Sequence, residues 1–311
     1  VKSGVDIDRA LKWTADIVLR STTPPIDLAQ KAGHGYRMPA GTEIKQACVD
    51  VFEQQRKWVL DWFRSTVKGF GWTIPVGHVT SKKDESDIPP TPAAPSPGGP
   101  PPLAAPDLSV WDAQLAKEAR PAIEVYFGKG AEQLAGRIDL DVDAIFNLEL
   151  PTVQEAIDKA AMKFSASTNA TTSLEMDAAL KKLRVELSQG IIAEGDALPE
   201  LVKRVNVVFD SASKIRAERI ALTESSRAMH EGQRIGAKNS GVVRGFEWLV
   251  SADPCPICIA IAERFQAGIA IDGTFGKQSD YGAGGGNPDY ETITTPPAHP
   301  YCMCTMLEQI D

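Results

Sequence analysis

The chain has 311 residues, 43% of them hydrophobic and 24% charged. That is the balance of an ordinary globular protein, with room for one large domain or two modest ones. No apolar run reaches the roughly twenty residues a membrane helix needs, so no membrane contact is expected. A formal net charge of −8 excludes overall positive charge as a way of holding DNA or acidic lipid, and nucleic-acid contact would need a local basic patch.

The opening Val1-Lys2-Ser3-Gly4 lacks the apolar core of a secretory leader. Its first residue, Val rather than Met, reads as the start of a processed product or a fragment. Residues 1–80 then predict a helical N-terminal segment, a docking region or the tail of a portal protein fused upstream. Asp8 to Leu19 and Thr42 to Val67 carry helical spacing, with loops at Pro24-Pro25 and around His34. In the second helix Ile44, Cys48, Val51, Phe52, Trp58, Val59, Trp62 and Phe63 share one face, which is expected to pack on a partner or a neighbouring subunit. Cys48 on that face reads as a small core residue. Residues 81–108 form a linker. A charged run, Ser81 to Asp87, precedes the Pro-rich stretch Ile88 to Pro106, where missing donors and fixed φ prevent helix and sheet ladder alike.

Residues 109–311 predict an α+β domain, helical over 109–240 with a small β part over 241–311. Helices are expected at Trp111–Leu134, Val153–Phe164, Leu174–Gln189, Leu198–Phe209 and Ser213–Lys238. Breaks are expected at Gly128-Lys129-Gly130, Leu150-Pro151, Ser165 to Thr172, and Gly195 to Pro199. Gly245 to Val250 reads as a strand with Trp248 as a core anchor, Gly282 to Asn287 as a flexible loop, and Cys302 to Leu307 as a terminal strand.

Of five cysteines, four fall in two tight pairs, Cys255/Cys258 and Cys302/Cys304, with His299 three residues before the second pair. A Cys-x-x-Cys turn offers two thiolates on one side of a metal, and a second close pair completes a tetrahedron. In a strand, Cys302 and Cys304 would point to one face. Cys255, Cys258, His299, Cys302 and Cys304 are thus five candidate ligands for four positions, and zinc is the default metal for thiolates. The segment between the pairs is rich in Gly and Pro. It buries little, so a structural Zn2+ would supply the free energy that orders it.

Three rival readings stay open: two disulfides, a redox Cys-x-x-Cys, and a catalytic zinc. Pro254-Cys255-Pro256-Ile257-Cys258 matches one half of a nucleobase-deaminase signature. The H-x-E half is missing, since His230 and Glu231 are adjacent. With Arg234 four residues after His230, the zinc-protease pattern fails as well.

On the helix from Ser213, the residues Arg216, Arg219, Thr223, Arg227, His230 and Arg234 recur at steps of three or four and form one stripe. The stripe reads as a solvated basic face with Glu218 and Glu224 as neighbours, or as a contact for DNA phosphates or an acidic protein surface. Gly232 and Gly236 would admit another element at close range.

Taken in order, Arg219-Ile220-Ala221-Leu222-Thr223-Glu224, Gly232, Gly241-Val242-Val243 with Glu247-Trp248, Asp253 to Cys258, and Pro296-Pro297-Ala298-His299-Pro300-Tyr301-Cys302-Met303-Cys304-Thr305 make a pattern. It resembles the C-terminal domain of phage head-morphogenesis proteins, the Mu F-like minor capsid (minor head) proteins, over roughly Leu174 to Leu307. Departures are Met303, where that family often has Arg, and Tyr301, where it often has a small polar residue. The resemblance implies a non-enzymatic protein of the bacteriophage virion. It would sit in few copies inside the capsid near the portal vertex, after assembly in the host cytoplasm. It would act in head assembly, DNA packaging or DNA ejection, with portal, capsid or scaffold proteins and packaged DNA as partners. Two alternatives are carried beside it: a zinc-dependent nucleic-acid enzyme, deaminase- or nuclease-like, and a DNA- or protein-binding module.

Overall fold

The computed structural model describes residues 41–68, 105–189, 197–281, 292–299 and 302–310. The expected helix at Asp8–Leu19, the Pro-rich linker and the Gly282–Asn287 loop lie outside the described residues. The described architecture is α+β: a helical body followed by a three-stranded antiparallel sheet.

Helix α1 spans Thr42–Lys68. Its face of Ile44, Cys48, Val51, Phe52, Trp58, Val59, Trp62 and Phe63 is buried as the spacing requires. The expectation that this face meets a partner is corrected, because helices of the same chain cover it. Trp58 meets Trp111 edge-on, with centroids 6.1 Å apart. Arg56 pairs with Asp210 at 3.0 Å, and Gln55 donates to Asn169 at 2.7 Å. Burial pushes the Cys48 thiol well up, as expected of a core cysteine.

A 3-10 turn, Leu108–Trp111, is capped by the Asp107 side chain, which accepts from the Ser109 amide. Helix α2 then runs over Asp112–Ile138. The expected break at Gly128 to Gly130 does not occur. Asp139, in the left-handed region, ends α2, and the short helix α3 (Val142–Ile145) follows, capped by Asp141.

Helix α4 spans Pro151–Ser188 without interruption, so the break expected at Ser165 to Thr172 is also corrected. Those polar residues looked like a loop, yet Ser165, Thr168, Asn169 and Thr172 are buried inside the bundle. The side chains of Ser165, Asn169 and Thr172 have partners. Ser165 donates to the Asp112 carbonyl at 2.5 Å, Asn169 donates to the Asp112 carboxylate at 2.7 Å, and Thr172 donates to the Thr168 carbonyl at 2.8 Å. Satisfied hydroxyls and amides no longer compete with the helix backbone.

Helix α5 (Ala197–Ser211) leads through a π turn at Ala212–Arg216 into helix α6 (Ala217–Ser240). Helices α2 and α6 cross backbone to backbone. A Cβ on Gly130 would lie 1.9 Å from the Met229 carbonyl oxygen, and one on Gly232 would lie 2.0 Å from that of Phe127. The close approach expected at Gly232 is therefore present, and Gly130 is its counterpart. Among the described residues, no helix is long and apolar enough to cross a membrane.

Strand β1 (Val243–Leu249) leaves α6 through the left-handed Gly241. It pairs antiparallel with the two-residue β2 (Ile269–Ala270) on one side and with β3 (Thr305–Ile310) on the other. Between β1 and β2 lies helix α7 (Pro256–Arg264), which the strand-and-turn reading missed. Its signals were Pro256 at the first helical position and Ile257 with Ile261 one turn apart. The last strand begins at Thr305 rather than Cys302, so Cys302 and Cys304 precede it and the strand-alternation argument does not apply to them. Trp248 is buried edge-on against Phe275, with centroids 5.0 Å apart. Arg137 of α2 pairs with the buried Glu308 of β3, which fastens the sheet to the helical body.

Candidate metal centre

Cys255 is the N-cap of α7 and Cys258 lies in its first turn, so one helix start carries both thiols of the first half-site. The exposed N–H groups of such a start favour thiolates. The second half comes from the far side of a long excursion. The Cys302 amide donates to the His299 carbonyl at 3.1 Å, and Cys304 immediately precedes β3.

The two halves meet. The Cys255 Sγ stands 3.0 Å from His299 Nε2, the Cys258 Sγ 3.3 Å from the same atom, and the Cys258 and Cys302 Sγ atoms 3.6 Å apart. Two triads result, Cys255/Cys258/His299 and Cys258/Cys302/Cys304, each with its ligand atoms mutually within 4.8 Å. Cys258 belongs to both. All four cysteines are free thiols. Cys258, Cys302 and Cys304 are buried, whereas Cys255 and His299 are half-buried.

Charge separation within the cluster suits metal binding. Hydrogen bonding from Cys258, reinforced by His299, holds the Cys255 thiol at about 4. Burial opposes a charged His299, but hydrogen bonds to Cys255 and Cys302 raise it to about 10. Hydrogen bonding from Cys258 also keeps Cys302 well below the usual thiol range. Thiolates poised in this way can hold a metal ion, which would take the place of the shared protons. Sulfur ligands with one imidazole fit a tetrahedral ion, whose edges are about 3.8 Å between sulfurs and about 3.5 Å between sulfur and nitrogen.

The basic stripe is not an open face. Arg216 is 5% exposed, pairs with Glu175 and donates to Thr172. Its guanidinium also lies over the Phe52 ring at 5.3 Å. Arg227 donates twice to Glu224, at 2.8 and 2.6 Å. Arg219 and Arg234 are half-buried, and Thr223 is buried with its hydroxyl on the Arg219 carbonyl. The solvated-face and phosphate-contact readings therefore do not fit Arg216 or His230. Other helices cover this side of α6, which spacing within α6 alone could not reveal.

His230 is fully buried. Its ring nitrogens meet Ser226 Oγ at 3.4 Å and Thr305 Oγ1 at 3.1 Å. Its neighbour Glu231 accepts from Thr294 at 3.1 Å and from Thr295 at 3.2 Å. The two residues that invited an enzymatic reading thus tether the strand after Cys304 and the segment before His299. Sequence reasoning missed that tethering role; adjacency of two polar residues on an otherwise inward helix face was the available signal.

Burial lowers His230 to about 4, against an ordinary value near 6.5. Because the unfolded chain takes up this proton more readily, stability is fully present above pH 6.5 and falls as pH drops toward 4. The loss should be about 3 kcal/mol over that window. A His230→Gln variant should lack this component. Denaturant melts of both proteins between pH 4 and 7 check it, and parallel curves would refute the assignment.

No family model, curated protein or solved structure matches this chain.

Proposed function

We propose that the chain is a non-enzymatic minor capsid protein of a tailed bacteriophage, acting in head assembly near the portal, with a zinc ion closing its C-terminal sheet. The observation that carries this reading is the convergence of the Cys255–Cys258 turn with the His299–Cys302–Cys304 segment, in the motif order of the Mu F-like proteins. Zinc is favoured by the ligand chemistry: thiolates and one imidazole, without carboxylates, suit a borderline-soft ion with no redox activity. A structural rather than catalytic role agrees with the burial of Cys258, Cys302 and Cys304 and with the tethering of His230 and Glu231. The arginine stripe is largely engaged within the fold, so portal or scaffold proteins are favoured over DNA as direct partners.

The reading is tested by co-expressing the tagged full chain with the portal protein encoded in its own genome. A complex that survives size-exclusion chromatography is the expected result. Free chain and free portal, together with absence of the chain from purified particles by mass spectrometry, would overturn it.

A further inference from the structure

The five donors do not gather into one mutually close set. They form two triads, Cys255/Cys258/His299 and Cys258/Cys302/Cys304, each with its ligand atoms within 4.8 Å of one another and each containing Cys258. A single tetrahedral ion takes four donors around one point, every pair about 3.5–3.8 Å apart. Two positions that share one sulfur match the triads more directly. The Cys258 Sγ stands 3.3 Å from His299 Nε2 in the first and 3.6 Å from the Cys302 Sγ in the second. The two positions differ in setting: Cys258, Cys302 and Cys304 are buried, whereas Cys255 and His299 are half-buried.

Resting on the reading that this cluster binds metal, we infer that it takes two divalent ions of the zinc class, bridged by the Cys258 thiolate. One ion sits on Cys255, Cys258 and His299, the other on Cys258, Cys302 and Cys304. The four free thiols give their protons to solvent as the ions enter. Four thiolates then balance two dications, so the site carries no net charge into a buried setting that would penalise one. A single ion would leave either excess negative charge or protonated thiols beside it. Two bonds of about 2.3 Å meeting at one sulfur hold the ions about 3.5 Å apart. A bridging sulfur divides its electrons between two ions, so the second binds more weakly than the first. The purified chain therefore carries the first ion, and the second enters on titration.

The test titrates the full chain with cobalt(II), followed by electron paramagnetic resonance, and with cadmium(II), followed by calorimetry. Wild type should take two ions, the second about tenfold or more weakly. The cobalt resonance should rise over the first equivalent and fall over the second, because spins on ions that share a sulfur couple antiferromagnetically. Cys255→Ser and Cys304→Ser should each saturate at one ion with no such fall. Cys258→Ser should hold neither ion tightly. Saturation of wild type at one ion, or a second ion whose resonance simply adds to the first, would overturn the inference while leaving the metal reading intact. So would a second ion that persists in both single variants, which would mark an unrelated surface site. A wild-type chain that binds neither cobalt nor cadmium would remove the metal reading itself.

Discussion

Cys258→Ser should strip the metal from the protein and unfold the sheet while leaving the helical body folded. Cys258 is the joint of the two triads, so neither triad survives its loss. A structural zinc contributes about 10–16 kcal/mol in small zinc modules near neutral pH, comparable to the whole stability of a typical domain, about 5–15 kcal/mol. The segments it would join bury few large side chains of their own: Phe275, Ile293, Pro296 and Pro297 are the main ones between Gly273 and His299 among the described residues. The helical body has its own core of Trp111, Phe52, Phe127, Phe164 and Phe209 and needs no metal. Elemental analysis should find about one zinc per wild-type chain and none in the variant. Limited proteolysis should cut the variant beyond residue 250 and spare α1 to α6. Wild-type protease resistance in a metal-free variant would show that the sheet stands without the ion.

The second large effect belongs to the crossing of α2 and α6. Gly130→Ala and Gly232→Ala each place a methyl group about where a backbone carbonyl oxygen already stands. A backbone cannot rotate away as a side chain can, so the helices must separate and empty the packing around them. Each change should destabilise by about 3 kcal/mol or more, lowering the melting temperature by about 10 °C. Because the two contacts share one interface, the double variant should lose less than the sum. Two glycines of the same helix serve as controls. A Cβ on Gly128 or Gly136 meets nothing within 4 Å, so alanine there should stabilise by about 0.5–1 kcal/mol. Thermal melts of the four single variants decide the matter; one common sign for all four would contradict the crossing.

These glycines also show where the sequence could be read and where it could not. The apolar period of α1 identified its buried face residue by residue, because apolar spacing reports burial whatever lies on the other side. It could not say that α2, α5 and α6 of the same chain supply that other side. Glycines at 128 and 130 read as a break, because helix propensity is local and the need for a backbone contact is not. Ser165 to Thr172 read as a loop for the same reason: partners 53 and 57 residues away along the chain decide whether a polar stretch can be buried as helix. The Cys/His cluster was legible in its residues, since two close Cys pairs with a nearby His are a common pattern for metal ligation. Its supports, Glu231 on Thr294 and Thr295 and His230 on Thr305, follow only from the fold.

The antiparallel pairing of β1 with β3 bears on how the chain matures on the ribosome. The helical body is built largely from elements that leave the exit tunnel early and can dock as they appear. Strand β1 and the Cys255–Cys258 turn emerge next, with no partner yet made. His299 follows Cys258 by 41 residues and Cys302 by 44, so the loop must close over a long, entropically costly stretch before the sheet gains its third strand. During that interval the nascent chain displays two accessible thiols and an unpaired strand edge, the state most open to oxidation and to pairing with a neighbouring chain. An ion held between the two halves would be captured only after this closure, once the segment carrying His299, Cys302 and Cys304 has emerged.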